Sequence, residues 1–334
     1  KGEYGLNLLY ETSTMPMRPP IIVLTGFGDI ETAVEAMKNG ATDFLSKPLN
    51  WTQLEKSLQR ACEIVAMRRE LEHFREAQIR ESNFVIGSNE VVKTAIKQAL
   101  IAAEKQVSVL ITGETGTGKD VIAKFIHANG PRTNKPFISI NCAAIQNTML
   151  ESELFGHEAG AFTSADRKKP GLMEIADGGI LFLNEISSMP VDIQAKLLTA
   201  IESHSFRRVG GTTLINVDVQ VLAASNRDLK EMMRKGDFRE DLYYRLKVVD
   251  LDLPPLRERK EDIPELVGFF VRENNARQGM NVLEVSPQAM AALQSYSWPG
   301  NIRELSNAIE RAMLFCDGMT IQLGDLPKDI STIV

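Results

Sequence analysis

Val107-Ser-Val-Leu-Ile-Thr-Gly-Glu-Thr-Gly-Thr-Gly-Lys-Asp120 is the stretch on which the fold turns. Its first residues are apolar and β-branched, as in a buried strand, and Asp120 to Ala128 step as an amphipathic helix. Between them Gly113, Glu114, Thr115, Gly116, Thr117, Gly118 and Lys119 form a glycine-rich loop. Glycines let the backbone turn tightly with its N–H groups pointing inward, the helix N-terminus adds positive potential, and an ammonium at Lys119 reaches the outer phosphates. Strand, loop and helix in this order predict a phosphate-binding P-loop, with a nucleoside triphosphate as ligand. The general pattern ends in Ser or Thr, whose hydroxyl ligates magnesium; here the residue is Asp120.

The alternation continues downstream. The pattern predicts strands at Phe137 to Ile140, Ile180 to Leu183 and Val217 to Ala224, with helices around Thr148 to Phe155 and over Val191 to His204. Repeated crossovers of this kind favour a parallel sheet covered by helices on both faces. After Pro254-Pro255 the strands are expected to stop, and helices follow over Ile263 to Arg277, Pro287 to Ser295 and Ile302 to Cys316. The order is that of an α/β nucleotide-binding core followed by a helical lid.

Upstream, Pro20 to Leu24 reads as a buried strand, Asp29 to Asn39 as a helix stopped by Gly40, and Thr42 to Ser46 as a second strand before Lys47-Pro48. From Trp51 to about Ser82 there is neither Pro nor Gly, and apolar residues recur at threes and fours. That helix is long enough either to leave the first domain and pair with another copy or to lie back on its own domain.

With 334 residues, 43% apolar and 25% charged, the chain has material for two or three soluble domains. Nothing approaches the roughly 18-residue apolar run of a membrane-spanning helix. The opening Lys-Gly-Glu-Tyr lacks an initiator Met and an apolar leader, so a cytoplasmic fragment of a longer protein is expected. Cys62, Cys142 and Cys316 are odd in number and far apart, which predicts buried free thiols in a reducing compartment. A net charge of −6 lends no bulk electrostatic support to nucleic-acid binding.

The strand Ile180-Leu-Phe-Leu183 ends in Asn184-Glu185, where P-loop ATPases place two acidic residues. The first holds magnesium, often through water, and the second polarises the attacking water. An amide at the first position accepts a hydrogen bond but brings no charge, so binding is expected to survive while turnover falls.

Glu153-Leu-Phe-Gly-His-Glu-Ala-Gly-Ala-Phe-Thr-Ser-Ala165 resembles the loop that marks the bacterial enhancer-binding, NtrC-like AAA+ activators of sigma-54 RNA polymerase. Gly113 to Asp120 is similar to that family's P-loop, which itself ends in Glu or Asp. Phe238-Arg-Glu-Asp-Leu-Tyr-Tyr-Arg-Leu246, Leu253-Pro-Pro-Leu-Arg-Glu-Arg259 and Trp298-Pro-Gly-Asn-Ile-Arg-Glu-Leu305 complete the match. The resemblance implies an AAA+ core over 83–255 and a helical lid over 256–334, with ATP and Mg2+ as cofactors. It makes Glu185 the catalytic carboxylate and Asn141 the residue that holds and releases it. Asn226 becomes the first sensor, Arg303 the second, and Arg239 and Arg245 the fingers that a neighbouring subunit inserts. Ile86 and Gly87 join the nucleotide site, and Asp120 and Asn184 the metal site. Fingers supplied by a neighbour require a ring, which in the family has six or seven subunits. Gly160, Ala161, Phe162, Thr163, Ser164 and Ala165 form the loop that touches sigma-54, Phe162 and Thr163 at its tip. Ser164 replaces a family glycine, which limits how freely the loop bends.

Residues 1–60 resemble the second half of a flavodoxin-like response-regulator receiver. Thr25, Phe44 and Lys47 match its phosphate-sensing Thr, switch aromatic and phosphoryl-binding Lys, and the acidic pair and phosphoacceptor are expected upstream of Lys1. Residues 61–82 are the helical linker, with dimerisation as one of its readings. The resemblance implies a sensor kinase as partner, with DNA gripped by a helix-turn-helix beyond Val334. Two activities fit the chain: an ATP-driven activator that remodels the sigma-54 holoenzyme, and a ring that binds ATP and partners without effective turnover because of Asn184. A general unfoldase is disfavoured, because Phe162-Thr163 stands in place of an aromatic pore loop.

Overall fold

The computed structural model describes residues 9, 12, 19–26, 36–63, 65, 85, 87–162, 165 and 167–332, the side chain of Thr148 apart. They fall into two units, 1–81 and 82–334.

In the first unit, β1 (Ile22–Thr25) and β2 (Asp43–Ser46) run parallel, with Val23 opposite Phe44 and Thr25 opposite Ser46. Ile21, Val23 and Phe44 pack on the buried Leu9, Ala36 and Ala41. The strand expected to be buried is only half so, with Leu24 44% exposed, because this small cluster covers one face. A helix begins at Trp51 and is described to residue 63 and again at Val65; the rest of the long helical run, with Ile86, lies outside the described residues.

The second unit is built on a five-stranded sheet. β3 (Val109–Thr112), β4 (Phe137–Asn141), β5 (Ile180–Asn184), β6 (Gln220–Ser225) and β7 (Val249–Asp252) lie in the order β7-β3-β6-β5-β4, and every neighbouring pair is parallel. Side chains alternate between two apolar layers, as the period of a strand requires. Val109, Ile111, Phe182, Leu222 and Leu251 pack against α1 (Glu90–Lys105) and α2 (Lys119–Asn129). Leu110, Leu181, Leu183, Val221 and Ala223 face α3 (Asn147–Phe155) and α4 (Val191–Ser203), with α5 (Leu229–Lys235) and α6 (Glu240–Leu246) beyond. Each fully buried Leu, Ile or Phe of these layers contributes roughly 1.5–3 kcal/mol.

The lid packs α7 (Ile263–Gln278), α8 (Pro287–Ser295) and α9 (Asn301–Phe315) around Trp298, which is fully buried and donates its indole N–H to the Leu293 carbonyl at 2.8 Å. Contrary to expectation, strands do not stop at Pro255. Glu284–Val285 pairs with Thr320–Ile321 in parallel, a two-residue ladder too short to leave a periodic signal. β6 begins at Gln220 and not at Val217: Val217 donates to the His204 carbonyl beside the antiparallel pair of Ser205 and Asn216, and pairing with β5 starts where Gln220 meets Ile180. Of the three free thiols only Cys142 is buried; Cys62 is exposed on its helix and Cys316 half-buried at the end of α9.

Candidate nucleotide-binding site

The P-loop joins the end of β3 to the start of α2. Gly113, Gly116 and Gly118 have φ of 146°, 83° and 102°, a region that L side chains rarely enter. At Gly116 a side chain is excluded twice over, since an added Cβ would lie 2.3 Å from the Gly300 carbonyl oxygen. Thr117 closes the turn, its hydroxyl donating to the Glu114 carbonyl at 2.8 Å. Lys119 is buried, and its ammonium donates to the carbonyls of Gly113 and Glu114 at 2.8 and 3.0 Å. Burial pushes the Lys119 pKa down, Glu185 and Asp120 oppose that shift, and Arg303 adds to it. Lys119 thus feels two carboxylates and a second cation around the loop.

The parallel register brings the other predicted residues to the same sheet edge. Thr112 lies opposite Ser225, and Asn141 opposite Asn184. Asn226, next after β6, donates its amide to the Thr115 hydroxyl at 3.0 Å and so touches the P-loop directly. Asn184 Oδ1 accepts the N–H of Glu185 at 3.0 Å, and Glu185 takes a left-handed φ of 54°. A non-glycine residue in that region costs of order 1–3 kcal/mol, and here it ends the buried strand with the carboxylate half-exposed. Asn141 Oδ1 accepts the N–H of Ala143 at 2.9 Å; among the described residues no hydrogen bond joins it to Glu185.

Arg239 and Arg245, at the start and within α6, bond no residue of the P-loop. Arg239 makes a two-pronged pair with Asp241 at 3.0 and 2.7 Å, and Arg245 reaches the Ile201 carbonyl at 3.4 Å. In the loop after α3, Phe162 is 43% exposed and rests edge-on against His157, ring centres 4.9 Å apart. The loop closes on itself, Gly160 donating to the Ala165 carbonyl at 2.8 Å and Ala165 to that of Phe162 at 2.9 Å, with Ala161 between them. Thr163 and Ser164 lie outside the described residues. In the first unit the Lys47 N–H donates to the Thr25 carbonyl at 2.7 Å, which joins the ends of the two strands, while Phe44 is half-buried.

Sequence reasoning missed how the lid meets the P-loop. Arg257 donates both terminal nitrogens to the Glu114 carboxylate at 2.9 and 2.7 Å, and Arg259 donates to the Thr117 carbonyl at 2.8 Å. Asn301 donates to Glu114 and to the Thr115 carbonyl at 3.2 and 3.0 Å, and the Ile302 N–H donates to the Gly116 carbonyl at 2.9 Å. Gly87 packs on Asp262, whose carboxylate accepts the N–H groups of Ser88 and Asn89 at 2.7 and 2.9 Å. The motifs holding Arg257 and Asn301 were visible, but their partners lie 143 and 187 positions away.

Profiles of known families match in three consecutive stretches: a response regulator receiver domain over residues 1–59, a sigma-54 interaction domain over 85–252 and an AAA+ ATPase lid domain over 257–333. Regulatory protein AtoC of Escherichia coli (strain K12) is 44% identical over 328 residues, which are 98% of this chain and 71% of that protein. Regulatory protein LuxO of Vibrio cholerae serotype O1 is 40% identical over 333 residues, 98% of this chain and 71% of its own length. Among solved structures, NtrX from Brucella abortus in complex with ATP is 36% identical with a TM-score of 0.70, covering 99% of this chain and 72% of that one. Its complex with ADP matches at a TM-score of 0.69 and 36% identity, over 98% and 74%. The chain belongs to the AAA+ family defined by the sigma-54 interaction domain, in the branch that carries a response-regulator receiver.

Proposed function

We propose that the chain is an ATP-driven activator of transcription in a two-component system, which remodels the sigma-54 RNA polymerase holoenzyme. The observation that carries this reading is one glycine-rich loop that holds the buried Lys119 on two of its carbonyls, takes the Asn226 amide on Thr115 and has Arg303 of the lid beside Gly116. Lys119 exchanges its two carbonyl partners for the outer phosphates of ATP. Glu185 takes the proton of the attacking water, Asn226 orients that water and the terminal phosphate, and Arg303 meets the phosphates from the lid. Arg239 and Arg245, which bond Asp241 and the Ile201 carbonyl and not their own P-loop, serve the site of a neighbour in a ring of six or seven. Phe162 transmits the movement of each cycle to sigma-54, its exposed ring free to be buried on a partner. Phosphorylation by a sensor kinase reaches the first unit, where Thr25, Phe44 and Lys47 read it.

The donor set suits magnesium, which takes one or two carboxylates and completes its shell with phosphates and water. Asp120 in the first turn of α2, and Asn184 through water, are the side chains to hold it. When bound, the ion neutralises charge that develops on the phosphate oxygens. Asn184 favours a second reading alongside the first: a ring that binds ATP and its partners but turns over slowly.

Titration of a fluorescent ATP analogue tests the site. Lys119→Ala is expected to abolish binding at concentrations that saturate the parent chain, and equal affinity would remove the P-loop from the account.

A further inference from the structure

Each of the four residues 114–117 of the P-loop is bonded on its outer side to the lid or to the segment that leads into it. Glu114 is held by Arg257 and Asn301, Thr115 by Asn301, Gly116 by the Ile302 N–H and Thr117 by Arg259. Asn301 lies at the centre of this joint. It is fully buried and left-handed, φ 54°, at the start of α9, a conformation that Asn tolerates better than most residues. Its amide nitrogen serves the P-loop, while Oδ1 accepts the Leu256 N–H at 2.8 Å, on the segment that leads into the lid. Every polar atom of that side chain therefore ties P-loop, lid entry and lid helix together. Arg303, two residues on, is the group that meets the phosphates.

A P-loop must hold its N–H groups inward before the phosphates arrive, and ordering free backbone costs about 1–2 kcal/mol per residue. Bonds that fix the loop's outward-facing carbonyls meet part of that cost in advance. They also mean that the lid cannot shift against the loop without leaving buried polar groups unpaired, which is costly.

We propose that Asn301, with Glu114 and Arg257, is a set of positioning residues that preorganises the P-loop for ATP and ties the lid, with Arg303, to the state of the loop. The proposal rests on the P-loop reading above. None of the three has to touch the reacting atoms; each acts through the backbone of 114–116.

The test is ATP and ADP affinity of the full chain, measured at pH 7.5 and 5.5, with Lys119→Ala as the reference for loss of the site. Asn301→Asp keeps the shape, the left-handed backbone and the acceptor for Leu256, but replaces the donor by a second carboxylate beside Glu114. It is expected to weaken ATP binding by about tenfold to a hundredfold at pH 7.5, the worth of a hydrogen bond to a charged group. Two adjacent carboxylates raise the pKa of one of them, so the defect should shrink at pH 5.5, where protonation removes the repulsion and restores a donor. Adding Glu114→Gln should rescue affinity at pH 7.5. Glu114→Gln and Arg257→Gln, both on half-exposed side chains, are each expected to weaken binding severalfold, and the double variant no more than either alone. A merely structural role lowers the melting temperature without this coupling or this pH dependence. The proposal is overturned if Asn301→Asp binds ATP with parental affinity at both pH values while Lys119→Ala does not bind. Should Asn301→Asp fail to fold, additive effects of Glu114→Gln and Arg257→Gln overturn it in the same way. If Lys119→Ala itself binds normally, the P-loop reading has failed and not the joint.

Discussion

Asn184 departs most sharply from what its position asks, and the structure separates its two roles. Its Oδ1 accepts the Glu185 N–H, a bond that a carboxylate makes equally well, so the local fold does not depend on the amide. What the amide lacks is charge. One unit of negative charge about 4 Å from a cation is worth a few kcal/mol at an effective dielectric near 20. Asn184→Asp is therefore expected to raise ATP turnover by about 30- to 1000-fold, the equivalent of roughly 2–4 kcal/mol in the transition state, with little change in ATP affinity. Phosphate release under saturating ATP checks it, and equal rates in the two chains would make the amide functionally neutral. Cys142 gives a second prediction at this scale. Burial pushes its thiol up to about 12 from 9.0, with Glu185 nearby adding to the shift. Its folded pKa being the higher, the thiol contributes stability that is complete below pH 9 and is lost as the pH rises towards 12. At pH 8 a thiol reagent should modify the exposed Cys62 and leave Cys142 intact in the folded chain, as peptide mapping would read.

The ends of α6 show what an element can and cannot reveal alone. Phe238, Leu242, Tyr243 and Leu246 anchor it to the layer shared with α4, which leaves Arg239 and Arg245 at the surface. Arg239 is paired with Asp241 at the helix start, a partly exposed contact of the kind that adds little to stability and is easily exchanged for a phosphate. Action across a subunit boundary predicts complementation. With Asp restored at position 184 in both, a chain carrying Arg239→Ala and Arg245→Ala mixed with a chain carrying Glu185→Gln should recover ATPase activity at mixed interfaces. Absence of recovery, when native mass spectrometry shows that mixed rings form, would argue for fingers acting within one subunit.

For the molecule as a whole, a net charge of −6 leaves assembly to directed contacts and not to bulk attraction. In the presence of ATP and magnesium, native mass spectrometry is expected to find species of six or seven times 37.1 kDa, populated less in Lys119→Ala because the fingers then have no phosphate to meet. A mass that stays at one or two chains under saturating ATP would count against the ring.

The sequence by itself determined the class of the core, the P-loop, the end of β5 with Asn184 and Glu185, and the family. These are contiguous signals: glycines where φ must be positive, an apolar run of strand period, a loop spelled in successive residues. Where both ends of an expected element are described, it met its observed counterpart within three residues at most, the largest gap being the start of β6 at Gln220. The edge strand β7 was not foreseen, because four residues of which only Leu251 is fully buried carry too little pattern. Only the tertiary structure decided which side chains grip the P-loop from behind. Asn301 and Glu114 meet across 187 positions, and Arg257 and Glu114 across 143, because the sheet returns the chain to the P-loop edge four times, through β4, β5, β6 and β7, before the lid folds over it. A hydrogen bond of 3 Å between such segments has no period and no neighbouring residue to announce it; it exists only once both packed layers have placed its two ends.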